Sequence, residues 1–216
     1  MSVFDKYRAK AYPYLFAATL HVGRIAGGTP SDPRVAENWI RTKLAAGDDL
    51  IREAVAEIMA ERGISADAAA DELARNKHLN GFRRDDQGLY IEGRQVKAGI
   101  KEAANVRWPK DRWGPSKKGT RAFFAEHVFV QEDHIALGVA SPSGVAQRFV
   151  HTWRGSGIQL EEYVDDAKVS FTVATDHVFS EEEWALLWLT GEQQGIGASR
   201  SQGFGRYEVI RWERIR

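Results

Sequence analysis

The chain has 216 residues, and its 30 Lys+Arg balance 30 Asp+Glu, so the formal net charge is zero. That sum argues against a highly basic coating protein and against an acidic tail protein, although it leaves room for a local basic site. Cysteine is absent, which excludes disulfides, thiolate metal sites, cysteine nucleophiles and iron–sulfur clusters.

Residues 14–22, Tyr14 to Val22, form an apolar run that predicts a buried first strand. Gly23, Gly27, Gly28 and Pro30 mark a loop, and Ser31-Asp32-Pro33 has an oxygen-bearing cap with Pro at the first helical position. Three short helices are expected near 34–46, 49–62 and 66–77, with Gly47 and Gly63 as stops and Asp48 or Asp49 and Ser65 as caps. Asp85-Asp86-Gln87-Gly88 predicts a turn between short extended pieces. Gly93 to Val106 suits a helix with Val96, Ile100, Ala103 and Ala104 on one face. Residues 107–121 predict a polar loop.

Strands are then expected at 122–130, 134–140, 146–153, 158–163 and 167–176, the last two separated by Asp165-Asp166. Ser180 with Glu183 is a capping box, opening a helix to about Gln194. A glycine-rich loop and a final strand through Tyr207, Val209 and Ile210 close the chain. The order predicts an α+β fold with an antiparallel sheet. No 18-residue apolar run and no signal-peptide hydrophobic region occur, so no membrane partner and a cytoplasmic location are expected.

The zero charge is a cancellation. Residues 107–121 carry a net +5 and residues 198–216 a net +3, whereas 48–72 carry −6 and 160–183 carry −7. A basic, glycine-containing loop with Trp108 and Trp113 interleaved can track phosphates and stack bases, or can be a solvated loop whose tryptophans cover the core. The strongest local feature is Gly195-Ile196-Gly197-Ala198-Ser199-Arg200-Ser201-Gln202-Gly203-Phe204-Gly205-Arg206. Two Gly-x-Gly pairs flank a small polar centre carrying Arg200, and such a loop can bring backbone N–H groups close to an anion. It is not a dinucleotide fingerprint, because Arg200 stands where the third glycine belongs.

A Gly-x-Gly…Gly-x-Gly loop leading into a final strand resembles the signature of the RAMP superfamily, the RNA-binding proteins of CRISPR effector complexes. Three further segments resemble the backbone, guide-RNA-binding subunits of type III complexes. They are Leu20-His21-Val22-Gly23 with Asp32-Pro33-Arg34-Val35; Ile91-Glu92-Gly93-Arg94-Gln95-Val96-Lys97-Ala98-Gly99; and Gly144-Val145-Ala146 with 160–164 and 169–173.

The resemblance implies a ferredoxin-like (RRM-like) antiparallel sheet with helices. It would form a single domain over 1–216, with a helical insertion about 34–80 and a β-hairpin thumb about 121–165. It implies a CRISPR-associated, antiviral setting and an RNA partner, guide or single-stranded. The chain would be a homo-oligomer or a subunit of a ribonucleoprotein complex. The RNA-binding residues expected are His21, Arg24, Arg94, Lys97, Lys101, Lys117, Lys118, Arg121, Gly197, Arg200, Gly203 and Arg206. Arg94, Lys97 and Lys101 are spaced to share one helix face.

Asp32 matches the position of the acid that type III backbone subunits use for metal-dependent RNA cleavage, and Ser31-Asp32-Pro33 is equally a helix cap. No cofactor is expected, with Mg²⁺ only if Asp32 is catalytic. His21 is the best-placed histidine for metal-free general acid–base chemistry, and no histidine spacing suggests zinc. Three functions are therefore open: an RNA-binding backbone-type protein that oligomerises along RNA, an endoribonuclease using Asp32, or an interaction module that joins or inhibits an effector complex.

Overall fold

The computed structural model describes residues 10–30, 41–42, 44–47, 49–76, 79–110, 113, 119–152 and 155–216, together with Phe4 and Tyr7. Asp32, Lys117 and Lys118 lie outside the described residues, as does most of the helix expected near 34–46. The architecture is mixed α+β. The chain forms two compact units, one of Met1–Gly27, Arg83–Ser143 and Val164–Arg216, the other of Gly28–Phe82 and Gly144–Tyr163.

The first unit is built on β1 (Tyr14–Ala26), which pairs antiparallel with the final strand β10 (Tyr207–Arg214), from Phe16↔Arg214 to Val22↔Tyr207. The register shifts between Thr19 and Leu20. On its other side β1 neighbours the long strand β9 (Gly155–Thr175), which passes through both units, and β6 (Val128–Val130) pairs with the end of β9 from Val128↔Thr175. Two helices pack together in this unit, α3 (Gly93–Arg107) and α5 (Glu181–Gln194). The alternate residues Ala18, Leu20 and Val22 of β1 are buried, as are Val169, Phe171 and Val173 of β9. The face foreseen on α3 is the buried one: Val96, Ile100, Ala103 and Ala104. Each large apolar side chain removed from water here contributes about 1.5–3 kcal/mol. A second, three-stranded sheet orders β4 (Arg83–Asp85), β5 (Gly88–Glu92) and β7 (His134–Ala136).

The second unit contains β2 (Thr29–Pro30), α1 (Asp49–Arg62), α2 (Ala66–Asn76), β3 (Leu79–Gly81), β8 (Gly144–Thr152) and the first part of β9. Ile51 and Val55 of α1 pack with Ala69, Ala70 and Leu73 of α2. Gly63, at φ +64, ends α1, and Ser65 Oγ accepts from Ala68 N–H at the start of α2, as the sequence predicts. The β8–β9 hairpin runs in register from Gly144↔Tyr163 to Thr152↔Gly155. Glu161 and Glu162 are buried here. Glu162 Oε2 accepts from Phe82 N–H at 3.0 Å, and Glu161 Oε1 accepts from Gln159 Nε2 at 2.9 Å.

Three sequence expectations change. The segment expected as strand 122–130 begins as a helix, α4 (Thr120–His127), because Thr120, Phe123 and Phe124 bury at helical spacing. Asp165-Asp166 does not divide two strands: β9 continues through it, with Asp166 at φ +53 as a local irregularity. The strand expected over 134–140 stops at Ala136. Among the described residues, no helix is long and apolar enough to cross a membrane.

Candidate nucleic-acid interface

The glycine-rich loop is tied down at both ends within the first unit. Gly195 N–H donates to the Gly191 carbonyl at 2.7 Å, closing α5. Ile196 N–H donates to the Gly205 carbonyl at 2.9 Å, and Gly205 N–H donates to the Arg24 carbonyl of β1 at 2.7 Å. Ala26 bridges to Ala198, and Ile196 is 1% exposed. The tip is a 3-10 turn over Arg200–Gln202, bracketed by Ser199 at φ 54 and Gly203 at φ 89. The loop is thus tied by backbone hydrogen bonds to α5 and β1, with a polar tip.

A polar cavity of about 570 Å³ opens beside this tip. It is lined by Gln193 and Gln194 from the end of α5, Glu102 from α3, and Gly197, Ser199, Arg200, Ser201 and Arg206 from the glycine-rich segment. Arg121 Nη2 donates to both oxygens of Glu102, each at 2.7 Å, so the carboxylate is already paired. Two guanidiniums, two hydroxyls and two carboxamides lining one space suit a phosphate with its sugar.

Among the other expected residues, His21, Arg24, Arg94, Lys97 and Arg121 each have partners away from the cavity lining or reach it only through one. On β1, Arg24 forms a two-pronged pair with Asp165, Nε–Oδ1 at 2.6 Å and Nη2–Oδ2 at 3.1 Å, and His21 Nε2 lies 3.5 Å from Asp166 Oδ1. Asp165 and Asp166 thus lie against the two RNA-binding candidates of β1. Lys97 Nζ donates to the Ala125 carbonyl at 2.9 Å and stands 4.0 Å from the Phe129 ring centroid. Burial, and then the charge of nearby Lys101, holds the Lys97 ammonium below the usual lysine range. Arg94 pairs with Glu92. Arg121 belongs to the cavity only through Glu102.

The tryptophans of the basic segment pack inward. Trp108 and Trp113 meet edge to face at 4.9 Å, and Trp113 stacks on Phe123 at 5.4 Å. Both are half-buried, packed on the phenylalanines of this cluster. Nearby, His127 Nδ1 bonds Asp176 Oδ1 at 2.8 Å, and burial together with the His127 charge lowers the His177 pKa. Among the described residues, no three His, Asp or Glu are grouped to hold a metal ion. Glu102, Gln193 and Gln194 escape sequence reasoning, since polar residues on an amphipathic helix read as a solvated face. The one available signal was the Gln-Gln pair directly before the loop.

No protein-family model matches the chain, and no curated protein matches it. A structural match is found to a chain from a cryo-EM structure of the type III-B Cmr-beta complex bound to cognate target RNA, at 11% identity and a TM-score of 0.48. The match covers 99% of this chain, which spans 64% of that one.

Proposed function

We infer that the chain is an RNA-binding protein of the RAMP type, a backbone-like subunit that follows a guide or single-stranded RNA through phosphate contacts. The observation that carries this reading is the tied glycine loop presenting Arg200 with Arg206 to one polar cavity. The first unit supports a ferredoxin-like core. With β4, β5, α4 and β7 set aside, its elements run β1, α3, β6, β9, α5, β10, and its lateral order is β10-β1-β9 with β6 on β9. Bonds from guanidinium to phosphate position the RNA without reading its sequence. Self-association is part of the proposal, with the acidic stretch 48–72 and the basic segments supplying complementary faces on successive copies.

The test is the affinity of the full chain for a labelled single-stranded RNA across a salt series. Arg200→Glu with Arg206→Glu should weaken binding strongly and flatten the salt dependence, by about 0.7 in log–log slope for each phosphate no longer neutralised. Wild-type protein that binds no RNA overturns the reading. A mass in solution that does not rise with RNA length removes the self-association part alone.

A further inference from the structure

The three-stranded sheet of the first unit carries a second feature of binding type, apart from the glycine loop. Cross-strand register places Arg83 opposite Tyr90 and Glu92 opposite His134, so the four share one face. The His134 ring lies over the Tyr90 ring, centroids 4.0 Å apart and planes at 23°. Tyr90 is 8% exposed beneath it, whereas the His134 side chain is 55% exposed. The imidazole therefore has one face on an aromatic support and the other toward solvent. Its Nδ1 lies 3.5 Å from Asp85 Oδ2, which limits rotation of the ring.

Two guanidiniums stand at the same place. Arg83 Nε lies 3.5 Å from Glu92 Oε1, and Arg94 pairs with Glu92 Oε2. Arg83 is about half exposed and Arg94 largely so, and they share a single carboxylate, so the trio keeps a net positive charge. A flat, supported, solvent-facing ring beside exposed guanidiniums is the arrangement that takes an unstacked base and its flanking phosphate.

We propose that His134, backed by Tyr90, is a stacking platform for one base of single-stranded RNA, with Arg83 and Arg94 on the adjoining phosphates. The proposal rests on the RNA-binding reading above and adds an interaction that requires an unpaired base. A ring stacked on a ring needs no particular base edge, so the platform is tolerant of sequence. A duplex hides the faces of its bases and cannot use it.

The experiment compares the full chain with its His134→Ala and His134→Phe variants, each titrated with a labelled 15-nucleotide single strand and with the same length as a duplex. His134→Ala should weaken single-strand binding about five- to tenfold, the loss of one stacked base, and leave duplex binding unchanged. His134→Phe should restore the single-strand affinity. Equal single-strand affinity for wild type and His134→Ala overturns the platform, as does an equal loss for single strand and duplex. Arg200→Glu run in parallel separates the two ideas. If it loses single-strand binding while His134→Ala does not, the glycine-loop reading stands and the platform falls. If wild type binds neither form of RNA, both fall.

Discussion

Gly205 and Ile196 close the base of the glycine loop by direct backbone contact. Ile196 N–H donates to the Gly205 carbonyl at 2.9 Å, and a β-carbon at Gly205 would lie 1.8 Å from the Ile196 carbonyl oxygen. Gly205 also sits at φ +76, where side chains are disfavoured. This closure aims Arg206 and the Arg200 turn at the same cavity.

Gly205→Ala should therefore cost about 3 kcal/mol or more, since steric overlap with backbone adds to the positive-φ penalty. Gly203→Ala is the matched control. Its φ is +89 but nothing lies within 4 Å of the added carbon, so only about 1–2 kcal/mol is expected. Urea unfolding of both variants decides it. Equal losses would show that the close approach to Ile196 is relieved by a small shift of the loop.

The start of α5 offers a second measurement. Ser180 Oγ accepts from Glu183 N–H at 3.1 Å, and Ser180 N–H donates to Glu183 Oε2 at 2.8 Å. Ser180→Ala should lower unfolding free energy by about 1 kcal/mol without altering RNA affinity. No change in the urea midpoint would remove the cap from the account.

Lys97 separates a structural lysine from one that binds RNA. Its ammonium is committed to the Ala125 carbonyl and the Phe129 ring, away from the cavity lining. Lys97→Ala should destabilise the chain by about 1–2 kcal/mol, since it removes the packing of the lysine stem and a charged hydrogen bond. Its RNA affinity should match wild type. A folded Lys97→Ala protein with greatly weakened RNA binding would place RNA on α3 instead.

His177 predicts a pH dependence. Its folded-state pKa lies below the usual 6.5, chiefly through burial and then through His127. The unfolded chain therefore binds the proton more readily, and stability must rise with pH through this window. The contribution is complete above about pH 6.5 and is lost as pH falls toward the folded-state value. His177→Phe keeps ring packing against Phe123 and Phe179 but cannot titrate. Its melting temperature should fall less steeply than wild type as the pH is lowered below 6.5. An identical slope would show that His177 is not the group responsible.

Local signals made much of the chain legible. Ser65 and Ser180 announce helix starts, Gly63 announces a stop, and the spacing of Val96, Ile100, Ala103 and Ala104 declares the buried face of α3. Each depends on residues within one or two turns, so neighbours in sequence settle it. The segment at 120–127 misled for a related reason. Its paired phenylalanines favour strands by propensity, while the 120, 123, 124 spacing fits the helix that forms.

Determined by the sequence alone were the α+β class, the absence of cysteine chemistry, the local helix signals and the cancellation of charge between segments. Only the tertiary structure decided which charges are already spent. Asp165 and Asp166 take up Arg24 and His21 across strands, Glu102 takes up Arg121 across helices, and Glu161 and Glu162 are buried rather than displayed. Pairs as far apart in sequence as Arg24 and Asp165, 141 residues, leave no periodic trace, because their partners meet only after the sheet and helices have packed. The zero net charge of the chain was visible from the start; that Arg200 and Arg206 face one cavity followed from the closure of a loop by backbone hydrogen bonds.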